Sequence, residues 1–260
     1  MAYETILYSI ENGVATIQFN RPETMNAQEN KMIEELEDSS LKAAADPEVG
    51  ALIITGSGRA FSAGGDLKVL EQGFNVVSGK EYLSKAQPWL LQFVQMEKPV
   101  IAAVNGLAVG AGFSIALLCD FIYASDKAKF AQPFIHLSMV PDIGAMYFLP
   151  RLIGLQRAKE IYVTGRQVTA QEGQVLGFVN RVLPGDELMG ETRAFAEKLA
   201  SGPRVAIKMA KKIMNLSLNI SLESLLEYES YAQSVCFQTE DHKEGVKAFF
   251  EKRPPKFKGS

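Results

Sequence analysis

Two glycine-rich segments stand out as places where backbone, rather than side chains, could do chemistry. Gly56-Ser-Gly-Arg-Ala-Phe-Ser-Ala-Gly-Gly-Asp-Leu67 follows an apolar run ending at Thr55, and Asn105-Gly-Leu-Ala-Val-Gly-Ala-Gly112 follows one ending at Val104. Each lies just past the carboxyl end of a predicted strand, where open α/β sheets bind ligands. Glycine lets an N–H approach a ligand closely, and an N–H at a helix N-terminus is aided by the helix dipole. Two such amides converging on one point form an oxyanion hole, worth about 3–4 kcal/mol per donor to a carbonyl oxygen gaining charge. Glycine loops also serve plain tight turns, so either loop alone leaves both readings open.

A nicotinamide site is the rival use of such loops. Gly106 to Gly112 resembles the GxxxGxG loop of short-chain dehydrogenases, and Tyr123 and Lys127 have their Tyr-x-x-x-Lys spacing. In those enzymes, however, the loop follows the first strand near the N-terminus and the Tyr and Lys lie far downstream on a helix. That mismatch of order sets the nicotinamide hypothesis aside.

The elements that must position these loops alternate between strand and helix. Ile6–Ile10 and Val14–Phe19 flank Asn12-Gly13, a hairpin signal. Helical spacing runs from Gln28 to Ala45, Asp46-Pro47 ends it, and Ala51–Thr55 is a buried strand. Lys85–Met96 is predicted helical, Val100–Val104 a strand, and a helix follows through Phe113–Leu118. Phe121–Ala124 and Val179–Val182 are further strand candidates, with helices around Arg157–Val163 and Ala170–Gly177 between them. Residues 71–85 show no pattern. Past Pro184 the alternation fades into predicted helices at Glu187–Ala200, Val205–Leu216, Leu222–Ser234 and Lys243–Phe250, broken at Gly202-Pro203. The division expected is a core over 1–200 with the ligand site and a helical oligomerisation region over 201–260, whose Leu218, Leu222, Leu225, Leu226, Val235 and Phe237 need a partner surface. That surface is another subunit or the body of the same chain.

With 260 residues and 47% hydrophobic content, the chain can bury one large core. A net charge of −3 with mixed signs leaves no basic face for nucleic acid. Cys119 and Cys236 are the only cysteines and fit neither a disulfide framework nor zinc spacing, so no metal is expected and a reducing cytoplasm is the expected compartment. The longest apolar stretch, Phe113 to Leu118, is far short of a membrane span.

The motifs taken together resemble the enoyl-CoA hydratase/isomerase (crotonase) family, in the family's own order. They are Asn20-Arg-Pro-Glu-Thr-Met-Asn-Ala27, Arg59 through Lys68, Lys98-Pro-Val-Ile-Ala-Ala-Val-Asn-Gly106, Cys119-Asp120, Phe130-Ala-Gln-Pro133 and Asp241 through Arg253. The resemblance implies an α/β fold of the ClpP-like kind, a spiral of β-β-α turns with a C-terminal helical region that builds trimers or dimers of trimers. It implies that the oxyanion amides are those of Gly65 and Ala111. It implies that Ala63, Asp66, Leu67 and Lys68 line the coenzyme A path, coenzyme A being part of the substrate thioester and no separate cofactor being needed. Phe249 and Lys252 match positions that reach the nucleotide of a neighbouring subunit.

The chain departs from the hydratase pattern at the two positions where the family's hydratases carry glutamates. Here these are Ser114 and Phe134, and neither can do a glutamate's proton transfer at neutral pH. Both are expected to shape the acyl pocket. Asp142, in Val140-Pro-Asp-Ile-Gly144, matches the proton-shuttling acid of the isomerase branch, which includes 3,2-enoyl-CoA isomerases and the ring-epoxide isomerase of phenylacetyl-CoA breakdown. One carboxylate suffices for double-bond migration: it takes a proton α to the thioester and returns it at C4. The competing structural role for Asp142 is a helix N-cap. His136 is expected to be a packing residue, and His242 surface. Other readings open to the same residues are a hydratase using Asp142 alone and an acyl-CoA-binding scaffold without chemistry.

Overall fold

The computed structural model describes residues 3–71 and 73–260; Met1, Ala2 and Gln72 lie outside the description. The chain opens with a hairpin, β1 (Ile6–Glu11) and β2 (Val14–Phe19), turned through Asn12 and Gly13 at positive φ. Helix α1 (Asn30–Ala45) turns Met32, Leu36 and Ala43 inward at helical spacing. It starts two residues later than the spacing suggests, because Gln28 is engaged elsewhere: its N–H donates to Gly64 O and its carbonyl accepts from Asp66 N.

From here each turn of the chain repeats one plan. Strand β3 (Ala51–Gly56) enters a large sheet and β4 (Ala60–Ser62) a small one, followed by α2 (Leu67–Glu71), α3 (Val76–Ser84) and α4 (Gln87–Val94). Pro88 in the first turn of α4 keeps that helix separate from α3. The second turn gives β5 (Val100–Val104) to the large sheet, β6 (Leu107–Val109) to the small one, then α5 (Ala111–Leu118). The third gives β7 (Phe121–Ser125) and β8 (Lys129–Ala131), a 3-10 turn at Pro133–Leu137, α6 (Ala145–Ile153) and α7 (Leu155–Thr164). Strand β9 (Gln167–Thr169), α8 (Ala170–Leu176) and β10 (Arg181–Leu183) complete the sheets, and four helices follow: α9 (Leu188–Ala200), α10 (Arg204–Leu216), α11 (Leu222–Phe237) and α12 (Glu240–Phe250). The last strand thus begins two residues beyond the sequence expectation, since Val179 and Phe178 are used as apolar packing behind α8.

The large sheet has the order β1-β2-β3-β5-β7-β10, the small one β4-β6-β8-β9. All neighbours in the large sheet are parallel except β1 and β2, and in the small sheet only β9 runs antiparallel. This is the spiral of β-β-α turns.

A parallel strand covered on both faces must be apolar throughout, and the β3 sequence Ala-Leu-Ile-Ile-Thr-Gly is buried at every position. Its side chains alternate: Leu52 and Ile54 enter the main core, Ala51 and Ile53 the layer under Leu188, Ala196 and Ala200 of α9. The main core continues through Phe113, Phe130 and Phe178, whose ring centres lie 5.0–5.2 Å apart. Those three rings fix α5, and with it the second glycine loop, against β8. Among the described residues no helix is long and apolar enough to cross a membrane.

Candidate active site

Both glycine loops leave the carboxyl ends of adjacent parallel strands, so they emerge side by side. Two asparagines from the sequence motifs staple the first loop. Asn26 Nδ2 donates to Ser57 O and Ala60 O, while its Oδ1 accepts from Arg21 N. Asn105 Nδ2 donates to Gly58 O and Ala60 O, and its Oδ1 accepts from Gly56 N. A tight turn is thereby held by side chains from both flanking segments.

Gly64, at φ +92, is the contact between the loops: a Cβ there would lie 2.6 Å from Val109 O and 3.3 Å from Ala111 N. Only glycine allows that approach. Gly110 turns the chain into α5 at φ 53 and ψ −123, a conformation glycine alone adopts without strain. Gly65 is exposed and Ala111 is the first residue of α5. Neither of their amides donates a hydrogen bond to the described residues. Two unspent N–H groups on touching loops, one of them at a helix N-terminus, are the arrangement an anionic oxygen requires.

Around this pair the structure distributes the remaining residues unevenly. Phe134 is half-buried and its ring tip lies 3.5 Å from where a Cβ of Gly110 would be, so the ring forms an apolar wall beside the Ala111 amide. Ala63 and Asp66 are half-buried, Leu67 and Lys68 exposed, and Asp66 Oδ1 accepts from Lys68 N at 3.0 Å to start α2. Ser114 is fully buried, and its hydroxyl is engaged with Gly110 O and Gln132, so it offers no surface to a ligand and lies beneath the wall rather than in it. Phe249 and Lys252 lie exposed on α12 and just past its end and make no polar contact with either loop.

Asp142 precedes α6. The helix is capped by Gly144 with no side-chain bond, so Asp142 is not an N-cap. Its Oδ1 is buried without a hydrogen-bond partner. Burial pushes its pKa up from 3.8 to about 6, opposed only by its own backbone N–H. The next residue, Ile143, stands at φ 50, a conformation unfavourable for a β-branched side chain. Strain beside a buried, unpaired carboxylate marks a place shaped for chemistry rather than for stability.

Sequence reasoning missed Tyr82, which lies on the unpatterned segment that forms α3. It is the inward-facing ring of a helix with no fully buried residue. Burial raises its pKa, and the neighbouring Asp142 charge raises it further. Its hydroxyl donates to Asn30 Oδ1 at 3.4 Å. His136 is bonded to Thr164 O at 3.2 Å and serves the end of α7, and His242 packs on Phe237 in the tail. Among the described residues no three His, Cys, Asp or Glu gather as metal ligands.

The description "Enoyl-CoA hydratase/isomerase" belongs to the family model that matches residues 9–260. The chain belongs to this family. Among its curated relatives, a probable enoyl-CoA hydratase of Rhizobium meliloti is 41% identical over 99% of both chains. The crotonyl-CoA hydratase of Syntrophomonas wolfei is 37% identical over 99% of each. An enoyl-CoA hydratase subunit I structure from Geobacillus kaustophilus superposes with a TM-score of 0.95 at 35% identity, over 100% of both chains. An enoyl-CoA hydratase/isomerase structure from Cupriavidus metallidurans gives 0.94 at 30% identity, covering 100% of this chain and 98% of that one. The fold is that of the crotonases, and the protein is an enzyme of the enoyl-CoA hydratase/isomerase family.

Proposed function

We propose that this family member isomerises an enoyl-CoA, using Asp142 as its single proton carrier. The Gly65 and Ala111 amides hold the thioester oxygen, Asp142 removes the proton at C2, and the negative charge passes to that oxygen as the enolate. Asp142 then returns the proton at C4, and the double bond has moved into conjugation. The observation that carries this reading is the buried, unpartnered Oδ1 of Asp142, with the carboxyl pKa pushed up to about 6. A carboxylate raised that far is a better base yet still ionised at neutral pH. Ser114 and Phe134 supply no second base to activate water, which favours proton relocation over hydration.

Hydration through Asp142 alone is the second reading, and the hydratase names of the R. meliloti and S. wolfei relatives favour it. Coenzyme A would follow Ala63, Asp66, Leu67 and Lys68, with Phe249 and Lys252 reaching the nucleotide bound by a neighbour in a homotrimer or dimer of trimers. That assembly is supported by α10 and α11, which contain no fully buried residue, and by the exposed Leu222, Leu226, Tyr231 and Phe237.

Proton NMR in D2O with 3-hexenoyl-CoA and crotonyl-CoA tests the assignment. Double-bond migration in 3-hexenoyl-CoA that disappears in Asp142→Asn supports isomerisation. Water addition to crotonyl-CoA without migration transfers the assignment to hydration, and coenzyme A binding with no exchange at all leaves only a scaffold.

A further inference from the structure

The peptide unit is planar, so Gly110 O and the Ala111 N–H belong to one rigid plate, and whatever holds the oxygen aims the hydrogen. Gly110 O accepts from Ser114 N at 2.9 Å and from Ser114 Oγ at 3.1 Å. Ser114 Oγ in turn accepts from Gln132 Nε2 at 3.2 Å. A serine hydroxyl has a single hydrogen. With an N–H of Gln132 pointed at its lone pair, that hydrogen is directed onto Gly110 O.

The other loop holds its plate through the backbone instead. Gly64 O, on the plate that bears the Gly65 N–H, accepts from Gln28 N at 2.7 Å. Below it Ser62 Oγ accepts from Gln28 Nε2 at 3.1 Å and from Gly64 N at 3.2 Å, while the Ser62 hydroxyl gives its own hydrogen to Asn26 O at 2.8 Å and so braces the loop without reaching that plate. All four side chains are at most 3% exposed. The two pairs meet across the loops, since a Cβ on Gly112 would lie 2.5 Å from Ser62 O.

We propose that Ser114 and Gln132 are positioning residues that aim and polarise the Ala111 amide, one of the two amides of the oxyanion hole. The inference rests on the reading that these amides receive the thioester oxygen. A donor at the carbonyl end of a peptide strengthens what its N–H end can give, because successive hydrogen bonds polarise one another. Simple packing does not account for Gln132, whose Oε1 is buried with no partner. An unpaired buried acceptor is a cost that an apolar side chain would avoid. Position 114 therefore acts on the carbonyl end of the substrate, and proton transfer falls to a group elsewhere.

The test is infrared difference spectroscopy of [1-13C]butyryl-CoA bound to the full-length protein, paired with NMR of its α-proton exchange in D2O. The wild type is expected to lower the thioester carbonyl stretch. Ser114→Ala should return most of that shift and slow exchange about tenfold in kcat with little change in KM. Ser114→Thr, which keeps the hydroxyl, should restore both. If Ser114→Ala does not fold, Gln132→Met, which removes the donor that directs the Ser114 hydroxyl onto Gly110 O, carries the same test. A variant that polarises the carbonyl as the wild type does overturns the proposal while leaving the oxyanion hole intact. An unshifted carbonyl in the wild type overturns the oxyanion reading itself, and this proposal with it.

Discussion

Asp142 sets two observables that move in opposite directions. Under the proposed mechanism the ionised form is the base, so kcat/KM is expected to fall as pH drops through about 6 and to level off above it. Stability has the reverse sign. A folded-state pKa raised above the unfolded value near 3.8 means that the folded chain binds the extra proton between those two values. Ionising Asp142 therefore costs stability that is absent below pH 4, appears between 4 and 6, and is fully present at neutral pH. Asp142→Asn should remove that cost, raising stability at pH 7.5 by on the order of 1–2 kcal/mol, after allowance for partial exposure, and vanishing at pH 4. The same variant should lose about 10²- to 10⁴-fold in α-proton exchange. Thermal melts at both pH values beside the NMR assay check this pair, and a variant less stable than wild type at pH 7.5 would count against the buried-charge account. The motif singled out Asp142 as a candidate acid, but the missing partner of its Oδ1 was not legible, because hydrogen-bond partners come from tertiary placement. Ser114 shows the converse. Its residue type excluded base catalysis from sequence, yet its burial under the Gly110 peptide depended on Gln132, eighteen positions away.

At the scale of elements, the centre of the large sheet was legible because β3, β5 and β7 are five or six residues of mostly apolar sequence between clear breaks. The small sheet was not, since β4, β6, β8 and β9 are three residues each, too short for a period to show. Yet β4 and β6 are what press the two glycine loops together, and their contact gives a sharp contrast between adjacent glycines. Gly64→Ala puts a methyl 2.6 Å from Val109 O at φ +92 and is expected to cost about 2–4 kcal/mol and most of the activity. Gly65→Ala meets open space at an ordinary φ and keeps its N–H. It should change stability by less than about 0.5 kcal/mol and leave exchange rates unchanged. Chemical denaturation and the D2O assay on both variants decide whether the backbone N–H, rather than the glycine at 65, is what the site uses.

The whole molecule depends on how the last three helices are attached. Helix α10 is fastened to the core by a half-buried clasp: Lys211 Nζ donates to Asp120 Oδ2 at 2.6 Å and to Lys98 O at 2.9 Å, and Asp120 Oδ2 accepts from Val100 N at 2.7 Å. Burial pushes the Asp120 pKa up, and Lys211 opposes it. Lys211→Met strands that carboxylate and should cost about 3 kcal/mol at neutral pH, a loss that shrinks as acid neutralises Asp120. Beyond the clasp, the tail encloses little of its own apolar surface. Leu222 is 69% exposed, Tyr231 67% and Phe249 78%, and two grooves of about 620 and 640 Å³ run between α10, α11 and α12. Exposed apolar area of this extent on a monomer is costly in water. Sedimentation of the native chain should accordingly give three or six times the 28.5 kDa protomer mass. Leu226→Glu with Tyr231→Glu should yield monomers with the core melt preserved. If Phe249 and Lys252 complete a neighbour's nucleotide site, those monomers should bind coenzyme A less tightly while Asp142 keeps its raised pKa. Monomers that bind coenzyme A as tightly as the assembly would restrict the ligand contacts to Ala63, Asp66, Leu67 and Lys68 of the same chain, and a native chain that sediments as a monomer would remove the tail from the site altogether.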